Sequence, residues 1–149
     1  MPLLSSLSEI NGLKVTIMGL GLHGGGVGSA LFFARHGARV TVTDLQSEEN
    51  LHESIEKLSN YPITYTLGRH DVSDFEDADL VIKNPGVRKT NIYLEAASKV
   101  ETDISVFLQL NKRPVIAVTG TKGKSTTVSV LQQALLHAYP DTKLGGNIT

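Results

Sequence analysis

Two short β-branched runs each stop at a glycine and hand over to residues at helical spacing. That punctuation restricts the chain to an alternating fold. The first run is Lys14–Met18 (KVTIM), stopped by Gly19. Val27, Ala30, Leu31 and Ala34 then recur on one helical face until Gly37 ends the helix. The second run, residues 115–119 (VIAVT), follows Pro114 and leads into a glycine loop at 120–123. A helix from Lys124 to about His137 comes next, with Val128, Leu131 and Leu135 on its apolar face. Between the two runs, residues 39–43 (RVTVT), 64–67 and 79–83 (DLVIK) read as strands. Leu51, Ile55 and Leu58 mark a second helix, residues 92–99 a third, and a short helix follows Asp103. Residues 142–144 suggest one more short strand. Strands alternating with helices imply parallel pairing through right-handed crossovers, an α/β fold.

A length of 149 residues is room for about one domain. The polar stretch 111–114 therefore reads as a linker, with one domain over 1–112 and the opening of another over 113–149. The formal net charge of −1 argues against nucleic acid as a partner. The absence of cysteine excludes disulfides, zinc–thiolate sites and thiol nucleophiles. No signal peptide is apparent, and no apolar run approaches the ~20 residues of a membrane span. The expectation is a soluble, cytoplasmic protein with no membrane partner.

The most specific motif is Gly120-Thr121-Lys122-Gly123-Lys124-Ser125-Thr126, placed between a strand and a helix. Glycines let the backbone wrap a phosphate, and free N–H groups at a helix start point at the anion. Lys124 would reach the β- and γ-phosphates of ATP, and the Ser125 hydroxyl would ligand Mg²⁺. The strict pattern G-x-x-x-x-G-K-[ST] wants glycine where Val118 stands. The blander alternative is a glycine turn carrying exposed lysines.

Gly19-Leu20-Gly21-Leu22-His23-Gly24 matches G-x-G-x-x-G after a strand and before a helix, and Asp44 ends the next strand. Three readings stay open on the residues alone. One is NAD, one is another nucleotide diphosphate such as a UDP-sugar, and one is close helix–strand packing without a ligand. The phosphate loop favours the second, because an ATP-using enzyme needs a second substrate. Residues 83–87 (KNPGV) fall at a strand's C-terminal end, where open α/β sheets bind ligands, although a proline-glycine turn explains them equally. Arg69-His70-Asp71 reads as a charged loop, and Asp71, Asp74, Glu76, Asp77 and Asp79 as a solvated acidic stretch.

Together, residues 19–24, Asp44, 84–87, 103–107 (DISVF), 120–126 and 145–148 (GGNI) resemble the Mur ligase family in order and spacing over nearly the whole chain. The family's phosphate loop has the variant form seen here. The resemblance implies a Rossmann-like domain for the UDP part of the substrate, followed by the first strand–P-loop–helix unit of a central ATP-binding domain. It also implies an ATP- and Mg²⁺-dependent ligase of peptidoglycan synthesis, and hence of cell shape and division. Its substrates would be UDP-N-acetylmuramoyl-L-alanine and D-glutamate, joined through an acyl phosphate. Carried over by position, Gly21, Leu22 and His23 meet the pyrophosphate. Asp44 and Leu45 lie near the uracil, with Gly86 on its other side, and Asn147 touches the diphosphate. Residues 121–126 cradle ATP, with Lys124 catalytic. His23 stands where threonine or serine is usual, Ser105 where glutamate is common, and Thr149 where glycine is usual. The chain is then the front of a longer enzyme and inactive alone. Rival readings are the alanine-adding ligase of the family, an NAD-dependent oxidoreductase domain, and a non-catalytic nucleotide-binding module.

Overall fold

The computed structural model describes residues 4–21, 25–88 and 90–146, and the chain divides into Met1–Asn111 and Lys112–Thr149. The first unit carries a sheet of five strands: β1 (Lys14–Met18), β2 (Arg39–Asp44), β3 (Ile63–Leu67), β4 (Leu80–Lys83) and β5 (Val100–Glu101). Their spatial order is β3-β2-β1-β4-β5, and every pair is parallel. The helices are α1 (Gly25–Arg35), α2 (Glu48–Glu56), α3 (Ser73–Glu76), α4 (Ile92–Glu95) and α5 (Asp103–Leu110), with a 3₁₀ turn at Leu7–Ile10.

The period-two alternation of each strand sorts its side chains between two faces. Val15, Ile17, Val40, Val42, Leu80 and Ile82 pack with Ala30 and Phe33 of α1, Leu51 of α2 and Val106 of α5. Met18 and Val81 face the other way, onto Phe75 of α3 and Leu94 of α4. Buried on both faces, the central strands read as near-continuous apolar runs, as parallel strands do. The edge strand β3 is only half-buried.

The winding reverses between β1 and β4. From β1 the chain moves outward to β2 and β3, then returns to lay β4 on the other side of β1. Met18 is level with both Thr43 and Lys83. The loops that follow β1, β2 and β4 therefore emerge together at one edge, the position where open α/β sheets hold ligands.

Several expected elements differ. The helix expected over 92–99 ends at Glu95, because the Val81 N–H donates to Lys99 O (2.9 Å) and draws the following residues into β5. The acidic stretch is not simply solvated. It contains α3 with Phe75 fully buried, Asp79 Oδ2 accepts the Lys14 N–H (2.8 Å), and Asp74 Oδ2 is buried without a partner.

In the second unit, α6 (Lys124–Leu136) forms as the apolar spacing predicts. Residues 115–119 and 142–144 are not strands. A strand needs a neighbour to receive its hydrogen bonds, and none of the described residues supplies one. Val115 and Ile116 accordingly stand exposed. None of the described helices is long and apolar enough to cross a membrane.

Candidate functional site

The glycine loop begins where β1 runs out. Gly19 and Gly21 both take positive φ, +91° and +73°, which side-chain-bearing residues adopt only with strain. The Gly19 N–H donates to Thr43 O (2.9 Å), so the loop starts as a continuation of the sheet. The chain then turns into α1, and the Gly26 N–H closes the turn on Leu20 O (3.0 Å). A Cβ at Gly26 would collide with Gly19 O and Leu20. Gly26 is therefore the glycine that lets helix and strand approach. The fingerprint points to Gly24 for this part, and the run of three glycines at 24–26 is the signal that could have pointed further along. Leu22, His23 and Gly24 lie outside the described residues, as does Asn147.

Asp44, the last residue of β2, points its carboxylate into this loop. Oδ2 accepts the N–H groups of Leu20 (2.8 Å) and Gly21 (3.2 Å), and Oδ1 accepts that of Gln46 (2.9 Å). The side chain is buried. A carboxylate offers about four acceptor positions, so at most about one remains for a ligand. Asp44 thus shapes the loop first and can receive only a single donor besides. Leu45 follows it on the surface, 65% exposed.

The turn after β4 closes the other side. Asn84 Oδ1 accepts the Gly86 N–H (3.1 Å), and Asn84 O accepts the Val87 N–H (2.9 Å). The Asn84 side chain lies against the glycine loop, since a Cβ at Gly19 would stand 3.1 Å from its Cβ. A Cβ at Gly21 or at Gly25 would stand 3.4 Å from its Nδ2. Gly86 and the Asp44–Leu45 pair thus flank the loop from β4 and β2, with β1 between them.

His70 is not part of a mere charged loop. Its Nδ1 sits 2.7 Å from Thr43 Oγ1, and its ring meets Phe75 and Tyr93 edge-on. Burial pushes its pKa below the usual imidazole value, while the charges of Asp44 and Asp74 oppose that shift more weakly. Only Arg69, which pairs with Asp71 at 3.1 Å, keeps the exposed character expected of the segment.

In the second unit the phosphate-loop residues stay on one short path. Gly120 and Gly123 have φ of +152° and +78°, and Gly123 caps α6. Lys124 folds back so that Nζ donates to Gly120 O (2.6 Å). At the start of the helix, the Thr127 N–H donates to Gly123 O (2.9 Å). Residues 121–126 are exposed. A glycine-flanked helix N-terminus with a lysine already over the loop is what a polyphosphate requires. Among the described residues no three His, Asp or Glu side chains converge as a metal site. The Ser125 hydroxyl lies exposed in the first turn of α6.

Residues 13–106 match the family described as the Mur ligase MurD-like N-terminal domain. The chain is 58% identical over 144 residues to the UDP-N-acetylmuramoylalanine–D-glutamate ligase of Borreliella afzelii, covering 95% of this chain and 32% of that protein. It is 51% identical to the ligase of the same name from Treponema pallidum, over 94% of this chain and 27% of that one. It thus spans about a third of the length of the curated relatives it matches. Among solved structures it resembles a pseudomurein peptide ligase type C from Methanothermus fervidus, with a TM-score of 0.53 and 27% identity. That likeness covers 85% of this chain and 26% of the other.

Proposed function

Because the chain belongs to the Mur ligase family, through a MurD-like N-terminal domain over residues 13–106, we propose that it is the front of an ATP-dependent D-glutamate-adding ligase. Its first unit binds UDP-N-acetylmuramoyl-L-alanine, and its second opens the ATP- and Mg²⁺-binding domain. The observation that carries this reading is the convergence of three loops at one sheet edge. The glycine loop is held open by Asp44 Oδ2 and faced by Asn84 and Gly86. On this reading the pyrophosphate lies at the loop before α1, and the uracil lies between Leu45 and Gly86. The names of its relatives supply the amino acid, D-glutamate. An enzyme using ATP and a UDP-linked precursor works in the cytoplasm.

The reaction is amide formation in two steps. The alanyl carboxylate attacks the γ-phosphorus of ATP, the bond to the β-phosphate oxygen breaks, and ADP leaves an acyl phosphate. The amine of D-glutamate then attacks the acyl carbon, loses a proton and expels phosphate. On this reading Lys124 follows the γ-phosphoryl group, and residues 120–126 offer backbone N–H groups to the polyphosphate. Bound Mg²⁺, held partly by Ser125, would neutralise charge on the phosphates. The relatives are about three times as long as this chain, and on this reading the amino-acid site belongs to the part it does not span, so the 149-residue chain by itself is expected to make no amide.

Asp44 also bears on the NAD alternative. The roughly one acceptor position left on Asp44 leaves room for a single ribose hydroxyl, so ligand titration must separate the two readings. Calorimetric titration of the chain with UDP-N-acetylmuramoyl-L-alanine, and separately with NAD, tests the reading. Saturable binding of the UDP compound alone is expected. Binding of NAD alone would replace the ligase reading with an oxidoreductase one.

A further inference from the structure

Lys83 ends β4 and is 9% exposed. Lysine is rarely buried so deeply unless its donors are met, because its amine is costly to remove from water. No carboxylate among the described residues forms an ion pair with it. Glu101 lines the same cavity of 460 Å³, but its Oε1 receives Gln109 Nε2 (2.9 Å) and faces Lys99 (3.9 Å), not Lys83. Lys83 Nζ instead donates to two backbone carbonyls, Val87 O at 2.9 Å and Asn84 O at 3.5 Å.

Those acceptors lie at the two ends of one turn. Asn84 already receives the Val87 N–H on its carbonyl and the Gly86 N–H on its side chain. These bonds close the turn on itself but do not fix its angle to the sheet. The Asn84 N–H ties the near end of the turn to Met18 O of β1 (3.0 Å), and Lys83 supplies the tie at the far end, because its stem is anchored in β4 and its Nζ holds Val87. The turn's inner face, the Asn84 side chain, bears on Gly19, Gly21 and Gly25. Its outer residue is Gly86. A shift of the turn would therefore alter the width of the cleft over the glycine loop.

We propose that Lys83 is a positioning residue of the substrate cleft. From beneath, it holds the 84–87 turn at the distance from the glycine loop that the uridine diphosphate requires. The proposal rests on the substrate reading above, and it does not require Lys83 to touch the ligand.

The test compares Lys83→Met and Lys83→Arg in the 149-residue chain. Met keeps the apolar stem and removes the donor, whereas Arg can still reach a carbonyl. UDP-N-acetylmuramoyl-L-alanine is the calorimetric probe, and hydrogen exchange is followed without ligand. Lys83→Met is expected to weaken binding about tenfold, the worth of one lost hydrogen bond from a charged donor. It should also speed exchange at Gly86 and Val87 while β1 and β4 stay protected. Lys83→Arg should restore most of both. Wild-type binding by Lys83→Met, in a chain that does bind the probe, overturns the proposal. If the unaltered chain binds no uridine compound, it is the substrate reading that fails. The exchange arm then decides for Lys83, and unchanged protection at Gly86 and Val87 overturns it.

Discussion

Asp44 Oδ2 accepts the backbone N–H of Leu20 at 2.8 Å, joining the end of β2 to the loop after β1 across twenty-four positions of sequence. With the bonds from Gly21 and Gln46, one carboxylate satisfies three main-chain donors. Asp44→Ala leaves all three without that acceptor. A buried donor left unmet costs about 1–3 kcal/mol, so the urea midpoint of the chain is expected to fall clearly. Asp44→Asn should rescue this only in part, because its amide turns donors toward donors. Affinity for the UDP compound should drop with the loop's order. Unfolding curves for the two variants that superpose on wild type would remove Asp44 from this role.

The glycines of α1 separate packing from propensity. A Cβ at Gly26 meets Gly19 O and Leu20, whereas one at Gly28 meets nothing within 4 Å. Gly26→Ala is therefore expected to destabilise the fold by about 1–3 kcal/mol through overpacking. Gly28→Ala, on the same helix, should stabilise it by roughly 0.5–1 kcal/mol, since alanine loses less freedom on folding. Thermal unfolding of both variants checks this, and equal effects of the same sign would contradict the geometry.

His70 should give the fold a pH dependence. Its folded pKa is lowered, chiefly by burial, so across the window between the folded value and the unfolded value near 6.5 the unfolded chain binds more protons. Stability then rises with pH through that window and is lost as pH falls toward the folded value. His70→Asn keeps a partner for Thr43 and removes the titration. Between about pH 7.5 and about pH 5, wild type should lose more stability than His70→Asn. Equal losses would assign the acid sensitivity to the carboxylates instead.

Much of this fold is legible in the sequence because its signals are local. β1 and α1 follow from five apolar-rich residues, a glycine stop and helical spacing, all within one stretch of chain. β5 is hidden there because it is two residues long and exists through its pairing with Val81. The environment of His70 is hidden for a similar reason, since Thr43 lies twenty-seven positions away and Tyr93 twenty-three. Asp44 is visible as the acid after β2, but not as the brace of the glycine loop. A fingerprint gives the position of a carboxylate and not the way it points. In the second unit, the helix after the phosphate loop is legible because its spacing is local, whereas the strand expected ahead of it depends on partners.

Lys124 carries the prediction for chemistry. Its Nζ makes one exposed hydrogen bond, to Gly120 O at 2.6 Å, and lies outside any buried core. On the proposed ligase reading, Lys124→Met in a chain extended to the length of its relatives should change unfolding little and lower kcat by roughly 10²–10³-fold, the scale of losing one preorganised charge at a transferring phosphoryl group. Pre-steady-state detection of the acyl phosphate assigns that loss to the first step. A variant that forms it at the normal rate would move Lys124 out of catalysis.

The run 115–119 gives the last prediction. Val115 is 47% and Ile116 60% exposed, although both belong to a sequence that reads as a buried strand. Strand identity there is a property of the pairing and not of the segment alone. In the 149-residue chain, the amides of Ile116, Ala117, Val118 and Thr119 should exchange rapidly, while Ile17, Val42 and Ile82 in the paired strands stay protected. In a chain extended to the length of its relatives, the same four amides should become protected as further strands pair with them. Slow exchange at these positions in the shorter chain would mean that the segment already has a partner, and the phosphate loop would then be held by an ordered strand without help from a larger sheet.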